Sequence, residues 1–201
     1  MANLSELVVE SEVFSLLSKE CEKIFDIRKR LPDFVFAHSF AKYAAIEYAH
    51  LYKEEFGKFL FRLSTIFQDD FVNYMALDPD SVDYYYRNYA FFGLASFKPS
   101  SLSERYVPVM FREGNVHKLL AGVNVGVFWG SSLRWGISCD RISWEMAVIA
   151  VSENIDIAAV SGFRCMDASE VSSYIRSQYQ WKPSVGLEFN QQFSAKYPIS
   201  K

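Results

Sequence analysis

The chain has 201 residues, half of them hydrophobic and 17% aromatic, with 22% charged residues and a net charge of −3. Such a chain makes one ordinary domain that buries about 70% of the surface its unfolded form exposes, so neither metal nor disulfide staples are needed, and a disordered or collagen-like chain is excluded. The slightly acidic balance argues against nucleic-acid binding driven by phosphate neutralisation.

No run reaches the about 18 apolar residues that signal a transmembrane helix, so no membrane span is expected. Three widely spaced cysteines, Cys21, Cys139 and Cys165, fit free thiols in a reducing compartment. The first residues lack the basic start and apolar run of a secretory signal. A cytoplasmic protein is the expectation.

Residues 12–30 place Val13, Phe14, Leu17, Cys21, Ile24 and Phe25 at helical steps. Ser11 is the expected cap, Arg28-Lys29-Arg30 put positive charge at the helix end, and Leu31-Pro32 stops it. Alanines and aromatics continue the period over 39–55 and 57–75, with Gly57 as the break between two helices. Asp78-Pro79-Asp80-Ser81 reads as a turn, and Asp80 or Ser81 caps a short helix through Tyr84–Tyr86.

Beyond Tyr89 the pattern changes. Residues 90–97 read as a strand or extended connector, and 106–111 as an edge strand because of Pro108. Residues 123–129, 135–139 and 143–151, joined by short turns, form an antiparallel meander. Its last strand is apolar at nearly every position and is expected to be covered on both faces. A final helix over 167–179 is capped by Asp167 or Ser169, and the tail beyond Pro183 reads as irregular.

The expected fold is therefore α+β: N-terminal helices packed on a C-terminal antiparallel β-meander. One domain is expected over 1–201, helical over about 1–88 and sheet-rich over about 89–185.

No metal or cofactor site is expected: His38, His50 and His117 lack ligand spacing, and the cysteines form no CxxC pair. The glycines of Gly122, Gly126 and Gly130 match neither a dinucleotide loop nor a phosphate loop. A cysteine nucleophile can be assembled on paper from Cys139, His117 and Asp140 or Glu145. Against it, Cys139 lies within a strand, with no helix N-terminus to lower its pKa, where a buried structural thiol is the simpler reading.

The acidic segment Asp69, Asp70, Asp78, Asp80 and Asp83 runs beside Tyr84, Tyr85 and Tyr86, uninterrupted by Lys or Arg. Carboxylates steer a basic partner and tyrosines supply contact area, so this composition suits protein docking. The plainer reading is a solvated acidic turn beside core tyrosines. Trp129 and Trp135 flank the Ser131-Ser132 turn and are open to a surface or a core role, while Trp144 reads as core.

The segments Trp135–Ala150 and Asp80–Tyr86 together resemble the strand pattern of small bacterial immunity proteins of polymorphic toxin systems. The resemblance spans about 70 residues of pattern and carries over no catalytic residue. It implies a non-enzymatic cytosolic protein that neutralises a cognate toxin by occluding it. On that reading the five aspartates, Tyr84–Tyr86, Trp129 and Trp135 bind the partner. The alternative is a small cysteine-dependent hydrolase or transferase using Cys139 and His117.

Overall fold

The computed structural model describes residues 6–111, 119–120 and 122–199. They form a six-stranded antiparallel sheet with helices on both faces. The strands are β1 (Lys42–Glu47), β2 (Val72–Asp78), β3 (Leu94–Phe97), β4 (Val125–Gly130), β5 (Trp135–Asp140) and β6 (Met146–Val151). Their spatial order is β1-β6-β5-β4-β2-β3.

The α+β class stands, but the strands are interleaved with helices rather than following them. Helices α2 (Glu54–Phe67), α4 (Leu102–Phe111) and α5 (Ile157–Ser161) lie on one face; α1 (Ser11–Ile24), α6 (Ala168–Gln178) and α7 (Pro183–Lys196) lie on the other. A short α3 (Arg87–Tyr89) precedes β3.

The period-2 alternation of each strand divides its side chains between two cores. Ile46, Tyr74, Phe97, Phe128, Trp135, Ile137 and Ile149 meet α2 and α4. Tyr43, Met75, Val127, Trp129, Met146 and Val148 meet α1, α6 and α7. Large side chains buried this way stabilise the fold by about 1.5–3 kcal/mol each. β6 sits between β1 and β5 and is buried throughout, as its unbroken apolar run implies.

Several expectations are corrected. Residues 39–55 do not form one α-helix: only a 3-10 turn over Tyr48–Tyr52 and the start of α2 are helical, and β1 takes the preceding stretch, because Tyr43 and Ala45 face one core while Ala44 and Ile46 face the other. Burial on both faces, with pairing to β6, overrides the helix propensity of the alanines. The expected second helix ends at Phe67, where Gln68 turns left-handed at φ 56°, and the chain continues as β2. Gly57 is not a break. It lies inside α2, where a Cβ would come within 2.9 Å of the Tyr106 Cβ, so the glycine lets α2 and α4 approach closely.

Residues 106–111 belong to α4 rather than an edge strand; Leu102, Tyr106, Val109 and Met110 are buried at helical steps despite Pro108 within it. α1 stops at Ile24, six residues before the expected basic end, since Phe25 turns extended and bridges Phe36. Ser11 opens it without capping; the N-cap is Glu10. The tail expected to be irregular is α7, anchored by Phe189 and Phe193. α6 follows expectation, with Asp167 and Glu170 forming a reciprocal capping box.

Both sheet edges are partly occupied. Ser96 N–H donates to Glu6 O at 2.8 Å and Val8 N–H to Leu94 O at 3.1 Å along β3. On the far edge Met166 N–H donates to Ala45 O at 2.7 Å. Covering edge groups in this way discourages pairing with other chains.

Candidate functional site

β2 divides the acidic segment. Asp69 and Asp70 precede it and Asp78 closes it, so at about 3.3 Å per residue the two groups stand about 20 Å apart at opposite ends of the sheet. The ten residues expected to form one docking face are therefore not brought together.

Asp69 at the first end is buried. Its carboxylate accepts from Trp135 Nε1 at 2.7 Å and from the Ser132 backbone N–H at 2.7 Å. A Cβ on Gly130 would collide with that carboxylate, so the glycine makes room for it. The arrangement ties the α2–β2 connection to the β4–β5 turn. Asp69 and Trp135 are thus removed from the docking set, because each completes the other's hydrogen bonding inside the protein. Trp129 is removed as well: it is fully buried in the second core, and its indole N–H has no hydrogen-bond partner among the described residues. Asp70 remains exposed, its backbone N–H donating to Ser131 Oγ at 2.9 Å.

The other end carries a turn of π-helical form, Ser81–Tyr86. Asp80 caps it, accepting from Val82 N–H and Asp83 N–H, both at 2.7 Å. Ser81 Oγ donates to Ala76 O at 2.6 Å, fixing the turn on the end of β2. Tyr85 is 1% exposed and inserts into the first core beside Phe91. Burial pushes its phenol pKa up. It is therefore an anchor of the turn and not a contact for a partner.

Tyr84 and Tyr86, on either side of that anchor, are each 43% exposed. Tyr86 stacks on the buried Phe92 at 4.4 Å, and Phe14 of α1 stacks on the same ring at 4.1 Å. Tyr84 packs edge-on against Tyr85 at 5.1 Å. Both rings are thereby held before any partner arrives, which lowers the entropy lost on docking. The local carboxylates are engaged: Asp83 pairs with Arg87 at 2.9 Å, and Asp78 accepts from Asn124 Nδ2, just before β4, at 3.0 Å. The exposed Asp83–Arg87 pair is worth little to stability but leaves a mixed-charge rim.

A second aromatic surface escaped the sequence reading. Trp181 is 76% exposed and Ile142 62% exposed, and with Ser143, Trp144, Glu145, Gln178 and Tyr179 they line a groove of about 200 Å³. The Tyr179 hydroxyl donates to Ser143 O, joining the end of α6 to the β5–β6 turn. Rings of Phe189, Trp144, Tyr179 and Trp181 run in contact from the core outward, with Trp144 Nε1 donating to Leu31 O at 2.8 Å. A tryptophan flanked by Gln180 and Lys182 was the available signal, since nothing in that polar stretch offers it a core.

The thiol of Cys139 is 1% exposed, and burial pushes its pKa well above the ordinary value. Both effects disfavour the thiolate that a cysteine nucleophile needs. His117 lies outside the described residues. Among the described residues no group of three His, Cys, Asp or Glu side chains could hold a metal ion, and no helix is long and apolar enough to cross a membrane. Among protein-family models, curated proteins and solved structures, none matches this chain.

Proposed function

We propose that this is a non-enzymatic, cytoplasmic protein-binding protein that docks a partner protein through the tyrosine turn at the end of β2. The observation that carries the reading is the contrast within three consecutive tyrosines: Tyr85 is buried, while Tyr84 and Tyr86 stand in water on a capped turn. Exposed, pre-ordered aromatic rings are the side chains that dominate binding energy at protein interfaces. With the resemblance to immunity proteins, the partner proposed is a toxin domain that the chain occludes.

The test is capture of that partner from lysate of the source cell by the wild-type chain and by Tyr84→Ala/Tyr86→Ala, with circular dichroism establishing that the variant is folded. A stoichiometric partner held by the wild type and lost by the folded variant supports the reading. Equal capture by both removes the turn from the interface, and a captured protein without toxic activity removes the immunity role.

A further inference from the structure

We propose that the groove between Trp181 and Glu145 receives an arginine side chain presented by a protein partner. The site lies apart from the tyrosine turn, and its ligand chemistry does not depend on the reading given above.

The groove is bounded by the β5–β6 turn and by the connection from α6 to α7. Its volume, about 200 Å³, is below the roughly 300–1,000 Å³ usual for small-molecule sites, and suits a single inserted side chain. One face of the Trp181 ring rests near Tyr179, with centroids 5.9 Å apart, and the side chain is otherwise largely in water. A tryptophan in this position contributes little to folding. It presents an electron-rich ring to whatever enters the groove.

The charge of the groove selects the ligand. Glu145 is the one charged side chain among the described residues lining it, and its side chain is exposed. The backbone of Glu145 is held at φ 49°, with its carbonyl accepting from Tyr48 N–H at 2.8 Å and from the Tyr174 hydroxyl at 3.0 Å. Asp140 lies just behind. After burial, the carboxylates of Asp140 and Glu145 are what raise the Tyr179 phenol pKa, so both stand near the phenol that lines the groove. An aromatic ring and a carboxylate that line one groove, with no cation among its described lining residues, favour a cationic guest. A guanidinium suits it better than an ammonium: it is planar, stacks on an indole, sheds water more readily and can bond a carboxylate with two donors.

The experiment titrates the intact protein with the capped tripeptide Gly-Arg-Gly and with its citrulline counterpart, which has the same shape and no charge. Tryptophan fluorescence and the indole N–H resonance of Trp181 are the readouts. The arginine peptide is expected to give a saturable change at millimolar concentration, and the citrulline peptide to bind about two- to fivefold more weakly or not at all. Glu145→Gln should narrow that difference, and Trp181→Ala, followed through the indole N–H resonance of Trp144 in the same groove, should abolish the arginine response while leaving the thermal midpoint unchanged. Equal binding of the two peptides, an unaltered response in Trp181→Ala, or no saturable response to the arginine peptide overturns the proposal. None of these outcomes bears on the tyrosine turn, which is tested by partner capture.

Discussion

Where β2 begins, a carboxylate and an indole are turned inward: Asp69 holds the Trp135 side chain and the Ser132 backbone, and both the carboxylate and the indole are buried. Where β2 ends, Asp80 caps a turn whose middle tyrosine is buried and whose outer two are displayed. Both ends carry carboxylates beside aromatic rings. What differs is the neighbour. At the first end the β4–β5 turn closes over the carboxylate, while at the second the turn projects beyond the sheet. Acidic and aromatic composition therefore identifies a docking surface only once it is known which side of the backbone each residue occupies.

The largest expected effect falls on the anchor of the displayed turn. Tyr85→Ala should cost about 3–5 kcal/mol in equilibrium urea unfolding, as for other large aromatic truncations in a core. A loss below about 1 kcal/mol would mean that the turn does not depend on its buried ring.

The two core tryptophans sharpen the contrast between satisfied and unsatisfied burial. Trp135→Phe leaves the Asp69 carboxylate without its indole donor and should cost about 2–3 kcal/mol. Trp129→Phe removes a buried N–H that has no partner among the described residues, so its cost should be smaller, about 1 kcal/mol, arising from lost volume alone. The reverse order in matched denaturation curves would contradict the role given to Asp69.

Asp140 gives the smallest effect and a signed pH dependence. Burial raises its carboxyl pKa, although Ser143 N–H at 2.8 Å and Trp144 N–H at 3.2 Å donate to it. Since its folded pKa lies above the unfolded value of about 3.9, its contribution to stability is greatest below that pH and falls as pH rises through the folded pKa. Asp140→Asn keeps an oxygen for both donors and removes the charge. Its thermal midpoint relative to wild type should therefore rise between pH 4 and pH 7; a difference that is flat or falls over that range would contradict the assignment.

Legibility in the sequence followed burial on one face or two. The meander from β4 to β6 was readable because β-branched and aromatic residues alternate between short turns, and α6 because Asp167 precedes a helical period. β1 was hidden by Ala41, Ala44 and Ala45, good helix formers whose strand state arises only from pairing with β6. β2 was hidden for a related reason: Val72–Ala76 is buried on both faces, so no alternation shows, and the segment reads as a continuation of α2. α7 presents only Gly186, Phe189 and Phe193 to the core, too sparse a stripe to stand out among polar residues.

In the candidate site, the cap at Asp80 was legible, while which of the three tyrosines is exposed was not. The division of the acidic segment was not, because it depends on a strand of Val72–Asp78 placed between its two halves.

The most direct measurement is urea unfolding of Asp69→Ala beside Tyr84→Ala/Tyr86→Ala. The account predicts a loss of about 3 kcal/mol for the aspartate, whose removal strands the buried Trp135 indole N–H and the half-buried Ser132 N–H. For the tyrosine pair it predicts about 1 kcal/mol, the worth of ring contacts made at a half-exposed surface. Equal losses, or the larger loss in the tyrosine pair, would contradict the division of β2 into a structural end and a displayed one.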